Sequence, residues 1–233
     1  PVQALAPVSS VTLNWRVMYE ATNRTLAMRD DGVHGDGAAG DGVYGATIPS
    51  RTGGVTNYAA GQMVRWYITA TDTASRSSRL PVFFAGIATE EYFGTVIDPG
   101  FTGSTLPVIH LYVSNYANGV GVDASSKVGG RASVYYDGEF YDNVFMKARG
   151  NTTMGYLKKS HTLEFNSAHQ FRHPGPGGQR LSKSSFTADY PDPTYLRQRL
   201  TFWLCEQMGA PGPFYHPVRL QMNGEFYQLA NHN

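Results

Sequence analysis

The sequence is poor in cysteine, in charge and in long apolar runs. Its single cysteine, Cys205, leaves no intrachain disulfide. It stands in an apolar helical stretch, where a buried packing role is expected rather than catalysis. A lone cysteine fits either side of a bacterial membrane, so it fixes no compartment. No apolar run approaches the ~18 residues that a membrane-spanning helix needs. No charged-then-apolar leader opens the chain, so a secreted form is expected to have lost one. Charged residues make up only 16% of the chain and the net charge is +1. That excludes a global field for nucleic acid. Lysine is missing from the first part altogether, since every lysine lies after residue 126.

Aromatics and glycine are abundant, with 15 Tyr, 12 Phe, 3 Trp and 26 Gly in 233 residues. The length suits one large or two small domains with real cores. The mix favours short strands and tight turns and argues against disorder.

The first part reads as β. Val11, Leu13, Trp15, Val17 and Tyr19 alternate with polar residues, as do Val64, Trp66, Ile68 and Ala70, each a half-buried strand. Shorter strands are expected near 25–29, 42–48 and 80–84. Turn clusters between them point to an antiparallel sandwich over residues 1–88. A boundary is expected near 82–94, and a second domain over 95–233, with a strand from Leu106 to Val113.

The second part mixes β and α. Asp137-Gly138 and Asn223-Gly224 each sit between strand-like runs, the pattern of a two-residue type I′ hairpin. Asp192 and Pro193 offer the N-cap and first position of a helix. Leu196, Leu200, Trp203, Leu204 and Met208 then share one face, expected to be buried. Gly209 is placed to end that helix.

Two stretches carry potential chemistry. Asp30, Asp31, Asp36 and Asp41 lie among glycines. The oxygens suit Ca²⁺, while Asp-Gly turns closed by side-chain-to-backbone hydrogen bonds account for the same residues. Further on, Lys147, Arg149, Lys158, Lys159, Arg172, Arg180, Lys183, Arg197 and Arg199 are opposed only by Glu164, Asp189 and Asp192. Such a stretch fits a phosphate-bearing ligand or a solvated basic face. Within it, Gly150, Asn151, Thr152 and Thr153 form a donor-rich turn able to wrap an anion. Lys158 and Lys159 open the strand that follows, and alternation sends them to opposite faces. Lys159 shares the face of His161, Leu163 and Phe165, which is expected to look inward. The histidines show no zinc spacing, since His169 and His173 lack a helix and a third partner. Tyr135, Tyr136 and Tyr141 are aromatics able to stack sugars where exposed, and alternation makes half of them core.

Two resemblances add to this. Met28-Arg-Asp-Asp-Gly32, Gly40 to Pro49, Gly61 and Val64 to Asp72 resemble an Ig-like β-sandwich module of large secreted bacterial proteins, a spacer or adhesion unit. Arg149-Gly-Asn-Thr-Thr153, Lys158-Lys-Ser160, Leu163-Glu-Phe165, the block from Lys183 through Ala188 to Arg197, and Val218 to Tyr227 are similar to the spore-coat protein H (CotH) kinase-like family. That resemblance implies a β-rich, two-domain, extracellular or cell-surface protein: an Ig-like sandwich, then the α+β N-lobe of an atypical serine kinase. It implies ATP with Mg²⁺ or Mn²⁺, bound by Arg149 to Thr153, Lys158 and Lys159, with Glu206 orienting the lysine. Protein substrates or coat and surface proteins follow as partners. The family's catalytic and metal-holding aspartates belong to a second lobe without counterpart in this chain, which is therefore expected to be inactive alone. A non-catalytic adhesion or scaffolding role is the alternative.

Overall fold

Apolar alternation sets the first sheet. In β1 (Val8–Val17), Val11, Leu13, Trp15 and Val17 all point inward and are buried. β1 lies between β2 (Arg24–Met28) and β3 (Met63–Asp72), both antiparallel to it. β4 (Ser77–Leu80) and β5 (Phe93–Val96) pair with β3. The computed structural model describes residues 6–50, 58–82, 91–98, 104–113, 127–175 and 177–233. They divide into two units, Pro1–Ile97 and Asp98–Asn233. The boundary expected near 82–94 and the end of the strand expected at 80–84 fall partly outside the described residues.

The first unit has its core on one face of this sheet. Leu13, Trp15, Val17 and Val64 pack against Leu26, Met28, Ala46, Ile48, Tyr58, Trp66, Ile68 and Ile97. The strand expected over 42–48 does not form, and Gly45 makes only an isolated bridge to Arg29. Ala46 and Ile48 of that segment still pack on the sheet, so among the described residues this part of the opposite layer is loop. The other face carries Arg16 directly opposite Arg65. Like charges in that position repel. Here Arg16 and Arg65 both lie over the ring of Tyr92, at 5.1 and 4.5 Å, a placement that favours the cation.

In the second unit seven strands close into a barrel. They are β6 (Val108–Val113), β7 (Gly130–Tyr136), β8 (Glu139–Arg149), β9 (Ser160–Glu164), β12 (Lys183–Thr187), β13 (His216–Met222) and β14 (Glu225–His232). The order round the barrel is β12-β14-β13-β6-β7-β8-β9. Among the described strands only β6 and β13 pair in parallel. Closure leaves no unpaired edge. A small ladder, β10 (Phe171–Arg172) with β11 (Arg180–Leu181), stands apart. Ile109, Leu111, Val134, Val144, Met146, Leu163, Phe171, Phe186, Val218 and Leu220 form the core, all at 0% exposure. Both hairpins are as expected. Asp137 and Gly138 have φ of +48° and +84°, Asn223 and Gly224 +51° and +90°, the pair of positive φ values that a type I′ turn requires.

The one α-helix among the described residues, α1 (Arg197–Gln207), corrects two expectations. It begins later than Asp192, with Leu196 at its N-cap and no side-chain cap there. Asp192 still serves it from a distance, because its carboxylate accepts the Arg197 N–H at 2.9 Å. The C-terminus ends as expected, since Gly209 at φ +73° and Ala210 donate to the carbonyls of Glu206 and Cys205. That is a Schellman close. The apolar face, however, is not buried. Leu196, Leu200, Trp203, Leu204 and Met208 are 47, 57, 55, 53 and 76% exposed. Cys205 is only partly buried. A kinase-type α+β lobe calls for a helix packed on its sheet, and among the described residues α1 buries none of its own. The second unit is therefore a β-barrel bearing a helix.

Candidate functional site

The basic turn is built by the return of β8 into β9. Arg149 pairs with Ser160 in register, so the connection 150–159 leaves the barrel and comes back to the same point. Residues Thr152–Gly155 within it coil into one 3-10 turn. Gly150 makes this possible. Its φ is +117°, and a Cβ there would collide with the Thr153 hydroxyl. Arg149, Gly150, Asn151 and Thr152 are exposed, and Thr153 is half-buried. Arg149 therefore leads into one turn at one end of the barrel, and Lys158 and Lys159 lead out of it.

The two lysines depart from the strand geometry expected of them. The strand starts at Ser160, so neither lies on it and alternation does not apply. The Lys159 ammonium donates to the carbonyls of Met154, at 2.8 Å, and Tyr156. It thus closes the C-terminal side of the 3-10 turn, where carbonyls are left without partners. The Lys158 ammonium donates to the Tyr195 hydroxyl at 2.9 Å, with the Tyr195 ring centroid 5.6 Å away. His161 and Leu163, both fully buried, and Phe165 do face inward as expected. Gln228 of β14 donates to the Lys159 carbonyl at 2.9 Å, fixing where the pair of lysines leaves the barrel.

Around this turn stands a set of residues that pattern reasoning missed. Asp189 is buried, with φ +44°. Its oxygens accept from the Tyr215 hydroxyl, at 2.9 and 2.7 Å, and from the Asn231 amide, at 2.6 Å. Burial, then the Asp189 carboxylate, pushes the Tyr215 phenol well above its usual range, so Tyr215 stays a donor. Ser160 accepts from the Ala188 N–H at 3.0 Å. This network ties the segment before α1 to β9 and β14. Tyr195, at φ +56°, comes from the same segment. Its left-handed backbone leaves no mark in a sequence that has no glycine there. Asp192 is held below the usual carboxylate range by the Thr194 hydroxyl and then by the Arg197 N–H. Glu206 is exposed near the far end of α1. No hydrogen bond or ion pair joins it to Lys159, whose ammonium is engaged by the turn.

The acidic loop of the first unit spends its oxygens on backbone. Asp36, only 1% exposed, accepts N–H groups of Asp31, Gly32 and His34 at 2.5 to 2.8 Å. The Gly32 N–H foremost, then those of Asp31 and His34, hold its carboxyl below the usual range. Asp30 accepts from Gly40, Asp41 and Gly42, and Asp41 from Ala38 and Val43. Asp31 accepts from Val33 and pairs with the His34 ring at 2.8 Å. Among the described residues no cluster of three His, Cys, Asp or Glu is arranged to hold a metal ion.

No helix among the described residues is long and apolar enough to cross a membrane. No curated protein matches the chain. Residues 6–79 match the family of the conditioned medium factor second Ig-like domain. Residues 146–229 match the CotH kinase protein family, a span that holds Arg149 to Thr153, both lysines, Asp189, Tyr195 and all of α1. From N- to C-terminus, the chain thus matches an Ig-like domain family and then the CotH kinase protein family.

Proposed function

We propose that the second unit is the phosphate-binding part of an extracellular, CotH-like atypical kinase. The observation that carries this reading is that Arg149, Lys158 and Lys159 flank one turn, whose two ends meet on paired strands, inside the matched span. Arginine and lysine donors with backbone N–H groups fit ATP phosphates. The fit does not extend to a metal. Phosphoryl transfer uses Mg²⁺ or Mn²⁺ held by carboxylates, and a carboxylate that orients the attacking hydroxyl. Asp189 and Asp192, the acidic side chains of the segment that meets Lys158 and Ser160, are occupied by hydrogen bonds from Tyr215, Asn231, Thr194 and Arg197. A second lobe would supply those carboxylates, and the exposed apolar face of α1 is suited to pack against it. In this reading the Ig-like unit spaces or anchors the kinase domain at a cell surface or coat, where protein serines are the substrate.

One observation favours the alternative, a non-catalytic surface or adhesion protein. Lys158 and Lys159 are both engaged by partners of the chain itself. Titration of ATP into the chain at low salt decides between them. Under the kinase reading, amide signals of residues 149–159 shift in NMR spectra, and Arg149→Ala and Lys159→Ala each remove the shifts. Signals of that segment unmoved by ATP would leave the adhesion reading in force.

A further inference from the structure

A groove of about 460 Å³ opens in the barrel away from the basic turn, between the start of β6 and the Asp137-Gly138 hairpin. The volume is that of small-molecule sites. It lies outside the matched span 146–229. β8 begins beside the groove and ends at Arg149. At the usual rise of a strand, the two sites are on the order of 30 Å apart.

Its chemistry is mixed and electrically balanced. Leu106, Pro107 and Val108 form one wall. Tyr135 and Tyr136 line the groove with His110, on which Tyr135 stands edge-on at 6.1 Å. Tyr136 is braced from behind by Phe171, at 5.7 Å between ring centres. Burial, and then the neighbouring Asp137, raises the Tyr136 phenol above its ordinary range, so its hydroxyl remains a donor. Asp137, 55% exposed, holds the rim as an acceptor and is paired with Arg172 at 3.0 Å. A cation meets Arg172 and an anion meets Asp137, so neither sign is favoured. A wholly apolar ligand would lie against the charged Asp137–Arg172 pair and the Tyr136 hydroxyl with no polar group to offer them. What remains is a neutral molecule with one apolar face and a rim of hydroxyls.

We infer that this groove is a binding site for a neutral hexopyranose, one ring face stacked on Tyr136 and its hydroxyls turned to Asp137. Aromatic rings braced by a second ring present a fixed stacking plane. A carboxylate is acceptor-only and takes two sugar hydroxyls at once. The site gives the barrel a glycan contact independent of the basic turn and of whether that turn binds nucleotide.

Saturation-transfer NMR on the whole chain tests this, with glucose, galactose, N-acetylglucosamine and cellobiose at millimolar concentration, and with glucuronate and ATP as charged comparisons. At least one neutral sugar should receive saturation on its ring C–H protons, with glucuronate receiving none. Thr105 is exposed at the mouth, so Thr105→Trp fills the groove without touching the core and should abolish the transfer. Tyr136→Ala should weaken binding roughly fivefold or more, the loss of one stacking ring. Asp137→Asn leaves Arg172 unpaired and should admit glucuronate. No transfer to any neutral sugar overturns the inference, as does transfer that survives Thr105→Trp or is competed away by ATP. Should Tyr136→Ala fail to fold, Thr105→Trp decides alone.

Discussion

His232 should make the barrel acid-sensitive well above the range where carboxylates titrate. It lies on β14 at 0% exposure, its Nε2 sharing a hydrogen bond with the Ser184 hydroxyl. The rings of Phe186 and Phe171 stand 5.2 and 5.8 Å from it, and that of His173 4.6 Å. Burial first, then charge on His173 and His216, pushes its pKa down to about 3. In the unfolded chain it returns to ~6.5. Below that value the unfolded state takes a proton that the native state refuses. Stability is therefore complete above pH ~6.5 and lost as the pH falls toward 3, by up to about 1.4 kcal/mol per pH unit. Allowing for partial protonation at the start, the loss is about 1 kcal/mol between pH ~6.5 and ~5.5 and about 2 kcal/mol by pH ~4.5. Against a typical 5–15 kcal/mol for a domain, that is readily measured. His173 and His216, both lowered by burial first, add to the same slope. Urea midpoints taken from hydrogen exchange of β13 and β14 peptides isolate the barrel from the first unit. The double variant His232→Phe/Ser184→Ala removes the titration and the hydroxyl together, so no polar atom is stranded. Its pH profile should be flatter by one proton. A wild-type midpoint constant from pH ~6.5 to ~5.5, or a variant with the wild-type slope, would refute the reasoning.

Two further outcomes are expected. Glu139 is held down to about 2, first by its hydrogen bond from Arg180 and then by that from Tyr141. Its contribution is present above the ordinary carboxylate range and lost as pH falls from ~4.3 toward that value. Glu139→Gln should abolish the Glu139 share of the acid transition while leaving the His232 region of the profile intact. In the first unit, Asp36→Ala strips three N–H groups of their acceptor and should lower the melting temperature equally in Ca²⁺ and in EDTA. A wild-type melting temperature raised by millimolar Ca²⁺ would instead assign the loop oxygens to a metal.

Local chemistry was legible in the sequence and long-range chemistry was not. Asp137-Gly138 and Asn223-Gly224 announced their hairpins because a tight turn is decided by two residues' φ alone. β1 and β3 were readable because apolar and polar residues alternate along each, although only in β1 does the apolar set stand out as the buried one. Barrel closure depends on β6 lying parallel to β13, a pairing across more than a hundred residues that no local pattern encodes. The helix start was misread for an informative reason. Asp192 does cap, but across a segment whose left-handed Tyr195 cannot be inferred from side-chain type. The lysine faces were misassigned because alternation was extended to residues that precede the strand. Tyr195, Asp189 and Tyr215 were missed because buried polar networks are made of ordinary residues brought together only by the fold.

The same geometry sets what nucleotide binding would have to displace. Lys159 is not an idle cation waiting for phosphate. It stabilises the turn by donating to the carbonyls of Met154 and Tyr156. Those acceptors are neutral, and a hydrogen bond to a charged phosphate oxygen is roughly twice as strong as a neutral pair. An ammonium has three donors, so Lys159 can keep one carbonyl while turning another proton to an anion. Lys158 is in a different position, because its partner is a phenol hydroxyl and a ring face. Withdrawing it would release Tyr195 from the turn, leaving the segment before α1 held by the Asp189 network alone. Arg149 is exposed at the base of the turn, and among the described residues no hydrogen bond or ion pair engages its side chain. Were the turn to bind phosphate, the geometry would rank Arg149 and Lys159 as its donors and Lys158 as the link between the turn and the segment before the helix.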